Sequence, residues 1–409
     1  MKSSRILLAL LVATLGLLAL YPMLPDSAAA AATAPPVRQP PPALPLPLPT
    51  GDQGRPQVDL VFVVDTTGSM AGLIQAAKDK VWSIATTMAQ AQPAPEIRVG
   101  LVAFRDLGDE YVTRTFDLTS DLDAMYAALM EFQAAGGGDG PEAVNQALAE
   151  AVNKLSWRQS AKAYKTIFLL GDAPPHLDYQ NDVQYPQTLA LARQRGIVVN
   201  TVQCGSDRST TQSWQQIAAL GQGEFIHVEQ NGNAIALSTP FDAKLAALAS
   251  ELDATRVYYG DAETRRQKLA KLETTERVAA AAPTASLASR ATFNATASGS
   301  DSLLGDHELL EDVHRGKVKL ETLKDAELPP TLQAMAPAAR EAFVAEQTAK
   351  RAQLKQEIAA EAGRREAWLK KNVAESGAAE SSLDHKLYRA LRAQAADKGL
   401  RYESSTPVY

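Results

Sequence analysis

Three short segments of this chain carry closely spaced oxygen donors. The first is Asp65-Thr66-Thr67-Gly68-Ser69-Met70, where a carboxylate and two hydroxyls alternate along a turning backbone. Asp65, Thr67 and Ser69 can therefore converge on one point. One carboxylate with two hydroxyls is a hard, oxygen-only donor set, which suits Mg²⁺ or Mn²⁺ with waters completing an octahedron and does not suit zinc or copper. The second segment, Gly136-Gly137-Gly138-Asp139-Gly140-Pro141-Glu142, lets the backbone come close to a bound ion and adds the carboxylate of Asp139. The third, Gly171-Asp172-Ala173-Pro174-Pro175-His176, adds Asp172. Each segment also has a plain structural reading. Asp65 can cap the next helix, Thr67 and Ser69 can be turn residues, and Asp139 or Glu142 can favour a helix N-terminus.

Bringing the segments together requires a scaffold with its loops on one rim. Val58–Asp65 is a short β-branched run, as expected of a strand buried on both faces. Further strands are expected at Arg98–Phe104, Tyr111–Phe116, Thr166–Asp172, Ile197–Gln203 and Glu224–Val228. Helices are expected near Ala71–Gln90, Asp121–Ala134, Pro141–Leu155, Pro186–Gln194, Thr211–Leu220 and Phe241–Leu252, with Pro141 at a helix start. Only Arg105–Glu110 separate the second and third strands, too few for a parallel crossover, so those two pair as a hairpin. The alternation predicts a mostly parallel sheet covered on both faces, with its ligand site at the carboxyl ends of the strands. Asp65 and Asp172 each end an apolar strand.

The combination Asp65-x-Thr67-x-Ser69, a glycine-rich loop, and an aspartate ending the fourth strand resembles the metal-ion-dependent adhesion site of von Willebrand factor type A domains. The order of elements over residues 58–250 is similar to that family throughout. The resemblance implies a Rossmann-like α/β sheet with one antiparallel edge strand. It also implies that Thr67 and Ser69 ligate the ion directly, and that Asp65 and Asp172 act directly or through water. Asp139 stands where the family usually offers threonine, which makes this site more anionic. The pairing of GGGDGPE with GDAPPH resembles a bacterial secreted or envelope branch whose members carry a helical C-terminal segment.

At the N-terminus, Lys2 and Arg5 precede the apolar run Ile6–Leu20, followed by Pro22, Pro25 and Ala28–Ala32. That order predicts a secretory signal over residues 1–32, or a membrane anchor through residues 6–24. Residues 33–57 form a proline-rich linker that favours polyproline II. The sheet domain is expected over 58–252. Residues 253–300, with the small, polar stretch from 279 onwards, are expected as a flexible linker. Residues 301–409 are expected as a helical region. Its long helix near Pro337–Asn372 has apolar residues too sparse for a heptad seam.

Composition narrows the function. The net charge is −6, and residues 58–250 carry 13 basic and 21 acidic groups, which argues against nucleic acid as a partner. One cysteine, Cys204, excludes an intramolecular disulfide framework and a cysteine-rich zinc site. No nucleophile elbow, phosphate loop or H-E-x-x-H helix is present. These features lead to a non-enzymatic, periplasmic or secreted, metal-ion-dependent protein-binding molecule of the adhesion type, whose partner offers a carboxylate to the ion. The alternatives are a metal-assisted hydrolase with His176 as base, and a scaffold with a vestigial metal site.

Overall fold

β1 (Gln57–Asp65) is apolar from Leu60 to Val64 because both of its faces are covered. Val58, Leu60, Phe62 and Val64 enter one core cluster, and Val61 and Val63 enter another. The computed structural model describes residues 54–409, apart from 139, 233, 235, 236, 377 and 378. The signal or anchor expected over 1–32, all but the last four residues of the proline-rich linker expected over 33–57, and Asp139 lie outside the described residues. Among those that are described, no helix is long and apolar enough to cross a membrane.

The sheet has six strands. β2 (Glu96–Phe104), β3 (Thr113–Thr119), β4 (Tyr164–Gly171), β5 (Ile197–Cys204) and β6 (Gln222–Val228) join β1 in the order β3-β2-β1-β4-β5-β6. β3 is antiparallel to β2 and every other pair is parallel, as the short connection after Phe104 requires. α1 (Ala71–Ala89) and α2 (Leu122–Met130) cover one face through Leu73, Trp82, Leu122 and Tyr126. α3 (Val144–Asn153), α4 (Tyr185–Gln194) and α5 (Arg208–Leu220) cover the other through Val144, Leu148, Leu189, Trp214 and Ile217. Cys204 is buried at the end of β5, and burial pushes its thiol up.

The helix expected to complete this domain does not lie on the sheet. α6 (Asp242–Asp253) packs among helices, its Leu245, Leu248 and Leu252 in a core cluster with Ala288, Leu303, Leu354 and Ile358. α13 (Leu383–Ala396) covers the sheet instead. Its Leu383, Leu387 and Leu391 share a core cluster with Phe168, Leu170, Val202 and Ile226. Tyr164 and Asn200 on the sheet hydrogen-bond Gln394 at 2.8 and 3.2 Å. Residues Gly54–Tyr409 accordingly form one compact unit.

Residues 253–300 are not a linker. α7 (Ala262–Ala281), α8 (Thr284–Ala295) and α9 (Ala297–Leu304) occupy the stretch. The small residues that suggested flexibility allow close approach instead: Ser286, Ala288, Ser289 and Ala291 are buried. Arg290, the lone charge from 279 to 300, is 1% exposed. Its guanidinium donates to Asp123 of α2 at 2.6 and 2.7 Å and to Asp253 of α6 at 2.7 and 3.0 Å. Thr275 of α7 donates to the same Asp123 at 2.7 Å.

Among the described residues, three further α-helices follow α9: α10 (Leu309–His314), α11 (Pro330–Gln333) and α12 (Pro337–Ser376). The stripe of α12 looked sparse because charged residues complete it. Arg351, Glu361 and Arg365 are buried alongside Leu354, Ile358 and Leu369. Arg351 pairs with Glu308 at 2.8 Å, Arg365 pairs with Asp242 at 2.8 Å, and Glu361 pairs with Lys244.

Although burial opposes it, the Arg290 guanidinium holds the Asp123 carboxyl down at about 2, against an ordinary 3.8. A carboxyl depressed in the folded state stabilises fully above the unfolded value and loses that contribution as pH falls toward the folded one. Arg290→Met should lower stability at neutral pH by about 3 kcal/mol, because the buried Asp123 carboxylate loses its guanidinium. Urea titrations should show this loss. They should also show that the variant lacks the part of the wild-type acid destabilisation that develops between pH 3.8 and about 2.

Candidate metal centre

The site lies beyond the carboxyl ends of β1 and β4. Asp65 is the last residue of β1 and is 1% exposed. Its Oδ1 accepts from the Thr67 amide at 2.8 Å and from the Thr67 hydroxyl at 2.7 Å. The Thr67 and Ser69 hydroxyls are 3.4 Å apart. Asp65, Thr67 and Ser69 therefore form one cluster, with Thr67 buried and Ser69 on the exposed rim. Thr66 turns the other way, its hydroxyl meeting the Phe104 carbonyl at 2.9 Å and Tyr111 at 2.7 Å.

The glycine-rich loop comes against this cluster. Gly68 N donates to Gly136 O at 3.2 Å, and Ala135 N donates to Thr66 O at 3.1 Å. Gly136 and Gly137 have φ of +76° and +81°, which favours glycine. At Gly137 a methyl would also lie 3.2 Å from Thr67 Cβ and 3.3 Å from Glu142 Oε1, so this backbone fills the space between those side chains.

α3 begins at Val144 rather than Pro141 because Glu142 is engaged elsewhere. Its amide donates to Pro174 O at 2.9 Å, and its carbonyl accepts from His176 N at 3.0 Å, tying the second loop to the third. The Glu142 side chain is 3% exposed. Burial pushes its carboxyl up to about 9, helped by the charges of Asp65, Asp106, Asp109 and Asp172. Burial likewise pushes Asp65 up to about 7, with Asp172 adding to the shift and the Thr67 hydrogen bonds opposing it. Asp65 Oδ2 and Glu142 Oε2 are buried and, among the described residues, have no hydrogen-bond partner.

Asp172 follows β4 and is partly exposed. Gln230, after β6, donates to Asp172 Oδ2 at 2.6 Å and to Ser69 O at 3.3 Å, which bridges the third loop to the first. His176 is buried, its ring stacked on Tyr179 with centroids 4.0 Å apart. Its Nδ1 lies 2.8 Å from Asp178, and its Nε2 lies 3.4 Å from Asp106.

Among the described residues, no three His, Cys, Asp or Glu side chains are grouped to hold an ion by themselves. The donor set is a mixed one of hydroxyls and carboxylates. It fits a small divalent cation on two counts: its atoms are all oxygen, and two of its buried carboxylate oxygens have no partner.

The sequence model of the von Willebrand factor A domain family matches residues 59–230. Residues 59–230 are a von Willebrand factor A domain. Among similar proteins, the von Willebrand factor A domain-containing protein 7 of Rattus norvegicus is 37% identical over 120 residues, covering 29% of this chain and 12% of that one. The alpha-protein kinase vwkA of Dictyostelium discoideum is 28% identical over 121 residues, covering 29% of this chain and 19% of that one. The chain thus spans less than a fifth of the length of these curated relatives. Among solved structures, proximal thread matrix protein 1 of the mussel byssus aligns with 18% identity and a TM-score of 0.34, covering 43% of each chain.

Within the von Willebrand factor A domain, the structure brings Asp65, Thr67 and Ser69 together and links Asp172 to them through Gln230. Asp139 lies outside the described residues. Sequence reasoning left Glu142 and Gln230 out of the site. Glu142 looked like a residue of a helix start, and its backbone ties to Pro174 and His176 have no sequence signature. Asp106 and Asp109 lie in the connection between β2 and β3, where aspartate is an ordinary turn residue. Asp109 in fact accepts from Gly137 N at 3.0 Å, and Asp106 accepts from the Tyr179 hydroxyl at 2.9 Å, so both brace the surrounding loops.

The raised Asp65 carboxyl predicts a pH dependence of the metal-free domain. A carboxyl raised in the folded state binds a proton there after the unfolded chain has released it, so its contribution falls as pH rises from 3.8 to about 7. In EDTA, the melting temperature should decline over that interval. Asp65→Asn should flatten the decline, a comparison that calorimetric scans can make directly.

Proposed function

We propose that this chain binds a protein partner through a divalent ion, Mg²⁺ or Mn²⁺, held at the rim of the von Willebrand factor A domain. The observation that carries the reading is the pair of unpartnered buried oxygens, Asp65 Oδ2 and Glu142 Oε2, beside the Thr67 and Ser69 hydroxyls. A cation would relieve the repulsion among these carboxylates and satisfy both oxygens. Asp65, Thr67, Ser69 and Asp172 would hold it, with Glu142 adding an oxygen once its proton is displaced and Asp139 supplying a further carboxylate. Bound there, the ion supplies a coordination position open to a carboxylate of the partner. The family resemblance supports an interaction role of this adhesion type.

Binding is favoured over hydrolysis by the setting of His176. A general base must be free to take a proton from the reacting group. This ring is buried, stacked on Tyr179 and held between Asp178 and Asp106. The N-terminal signal pattern supports a periplasmic or secreted location. N-terminal sequencing of the mature protein should then find a start between Ala28 and Thr33. Recovery of the chain from cytosol would overturn that location.

Titration of the full chain with Mg²⁺ or Mn²⁺ should show saturable binding and a higher melting temperature, since a ligand bound only by the folded state stabilises it. Thr67→Ala with Ser69→Ala removes two oxygens without changing the charge. It should abolish both effects, together with Mg²⁺-dependent capture of the partner from an envelope extract. Capture that persists in the folded double variant at saturating Mg²⁺ would place the contact elsewhere.

A further inference from the structure

At the opposite end of the sheet from the metal centre is a cleft of about 630 Å³, within the size range of small-ligand sites. Five basic side chains line it, Arg158, Lys165, Arg193, Arg195 and Lys398, and no carboxylate does. They come from separate parts of the fold. Arg158 precedes β4 and Lys165 is its second residue. Arg193 and Arg195 close α4, and Lys398 follows α13. Four of the five come from a stretch, 58–250, with 13 basic and 21 acidic residues, where such a concentration of cations is unexpected.

The cations are also poorly compensated. Arg158 is paired, meeting Asp59 and Glu96. Among the described residues, the other four have no ion-pair partner. Lys165 donates to the Arg158 carbonyl at 3.2 Å, Lys398 to the Ala161 carbonyl at 3.0 Å, and Arg195 to the Val152 carbonyl at 2.5 Å. An ammonium has three donors and a guanidinium five, so most of the donating capacity around the cleft is unspent. Lys165 forms the floor. It is 5% exposed, and its ammonium would lie 4.0 Å from a methyl placed on Gly196 at the cleft wall. Burial lowers its pKa; the charge of Asp59, opposite it on β1, opposes that shift, and the nearby charge of Lys398 adds to it.

We propose that this cleft binds a phosphate group, with Lys165 at its floor and Arg193, Arg195 and Lys398 around its rim. A tetrahedral dianion accepts hydrogen bonds from several directions and offsets more than one charge, which a single carboxylate cannot do. Because Lys398 belongs to the C-terminal segment and the other groups belong to the sheet domain, the bound phosphate would also fasten the end of α13 to the sheet. The phosphate can belong to a soluble ester or to a lipid headgroup, and the two sources are separable.

The test uses the full chain in EDTA, so that phosphate held by a metal ion does not register. Calorimetric titration with pyrophosphate probes the soluble source. Co-sedimentation with phosphatidic acid vesicles, against phosphatidylcholine vesicles, probes the lipid source. Arg193 and Lys398 are exposed, so Arg193→Glu with Lys398→Glu should leave the circular dichroism spectrum and the fold unchanged. Saturable pyrophosphate binding that weakens at least about tenfold in this double variant supports the site and a soluble ligand. Vesicle binding alone, lost in the same variant, supports the site and a lipid headgroup. Thr67→Ala with Ser69→Ala should leave either kind of binding intact. Absence of both kinds of binding at low ionic strength, or affinity that survives the double charge reversal, would overturn the proposal.

Discussion

β1 is hydrogen-bonded along its length to β2 on one side and to β4 on the other, and all three strands run parallel. The strand order reverses at β1, since later strands are added beyond β2 on one edge and beyond β4 on the other. The chain leaving β1 enters α1 on one face of the sheet, while α4, which follows β4, lies on the other. Their loops must part at this point, and a crevice opens between them. The Asp65 loop and the Asp172 loop are its walls, and the glycine-rich loop closes it from the β2–β3 side. Every donor of the candidate metal centre owes its position to that reversal.

Buried carboxylates are treated in two different ways in this molecule. Over most of the structure, buried carboxylates are matched to cations, usually a guanidinium. Asp59 meets Arg98 and Arg158, Asp123 meets Arg290, Asp242 meets Arg365, and Glu308 meets Arg351. The Asp123 carboxyl is accordingly depressed. At the rim of the sheet the matching stops. Asp65 receives the amide and hydroxyl of Thr67 but no cation, and among the described residues one oxygen of Glu142 has no partner. Both carboxyls are raised, because burial penalises their charge and neighbouring acids add to the penalty. A cation meets Asp59, Asp123, Asp242, Glu308 and Asp384, and none of the described cations forms an ion pair with Asp65 or Glu142. The difference gathers buried carboxyls without a cation where the loops converge.

The helices beyond residue 253 are part of the same construction. α13 covers the face of β4, β5 and β6, a place that α6 would fill if the chain simply continued its alternation. α6 is drawn instead into a helical layer by Leu245, Leu248 and Leu252, and Arg365 of α12 holds its first residue, Asp242. The sheet domain is therefore completed by residues far along the chain from its last strand.

Much of this was legible in the sequence, for a physical reason. Strand periodicity, the length of the connection between Phe104 and Thr113, and the placement of Asp65 and Asp172 at strand ends are local properties. Local chemistry alone specifies the parallel sheet, its one antiparallel edge, and the Asp65, Thr67, Ser69 cluster. The tertiary structure decided the rest, because the deciding partners are distant in sequence. Ser286, Ala288 and Ala291 read as a linker until α6 is packed against them. Arg351 and Arg365 read as solvated charge until Glu308 and Asp242 meet them. Glu142 reads as a helix start until Pro174 and His176 hold its backbone. α6 and α13 are both short amphipathic helices, and which of them covers the sheet depends on Gln394 meeting Tyr164 and Asn200, a match between residues about two hundred positions apart.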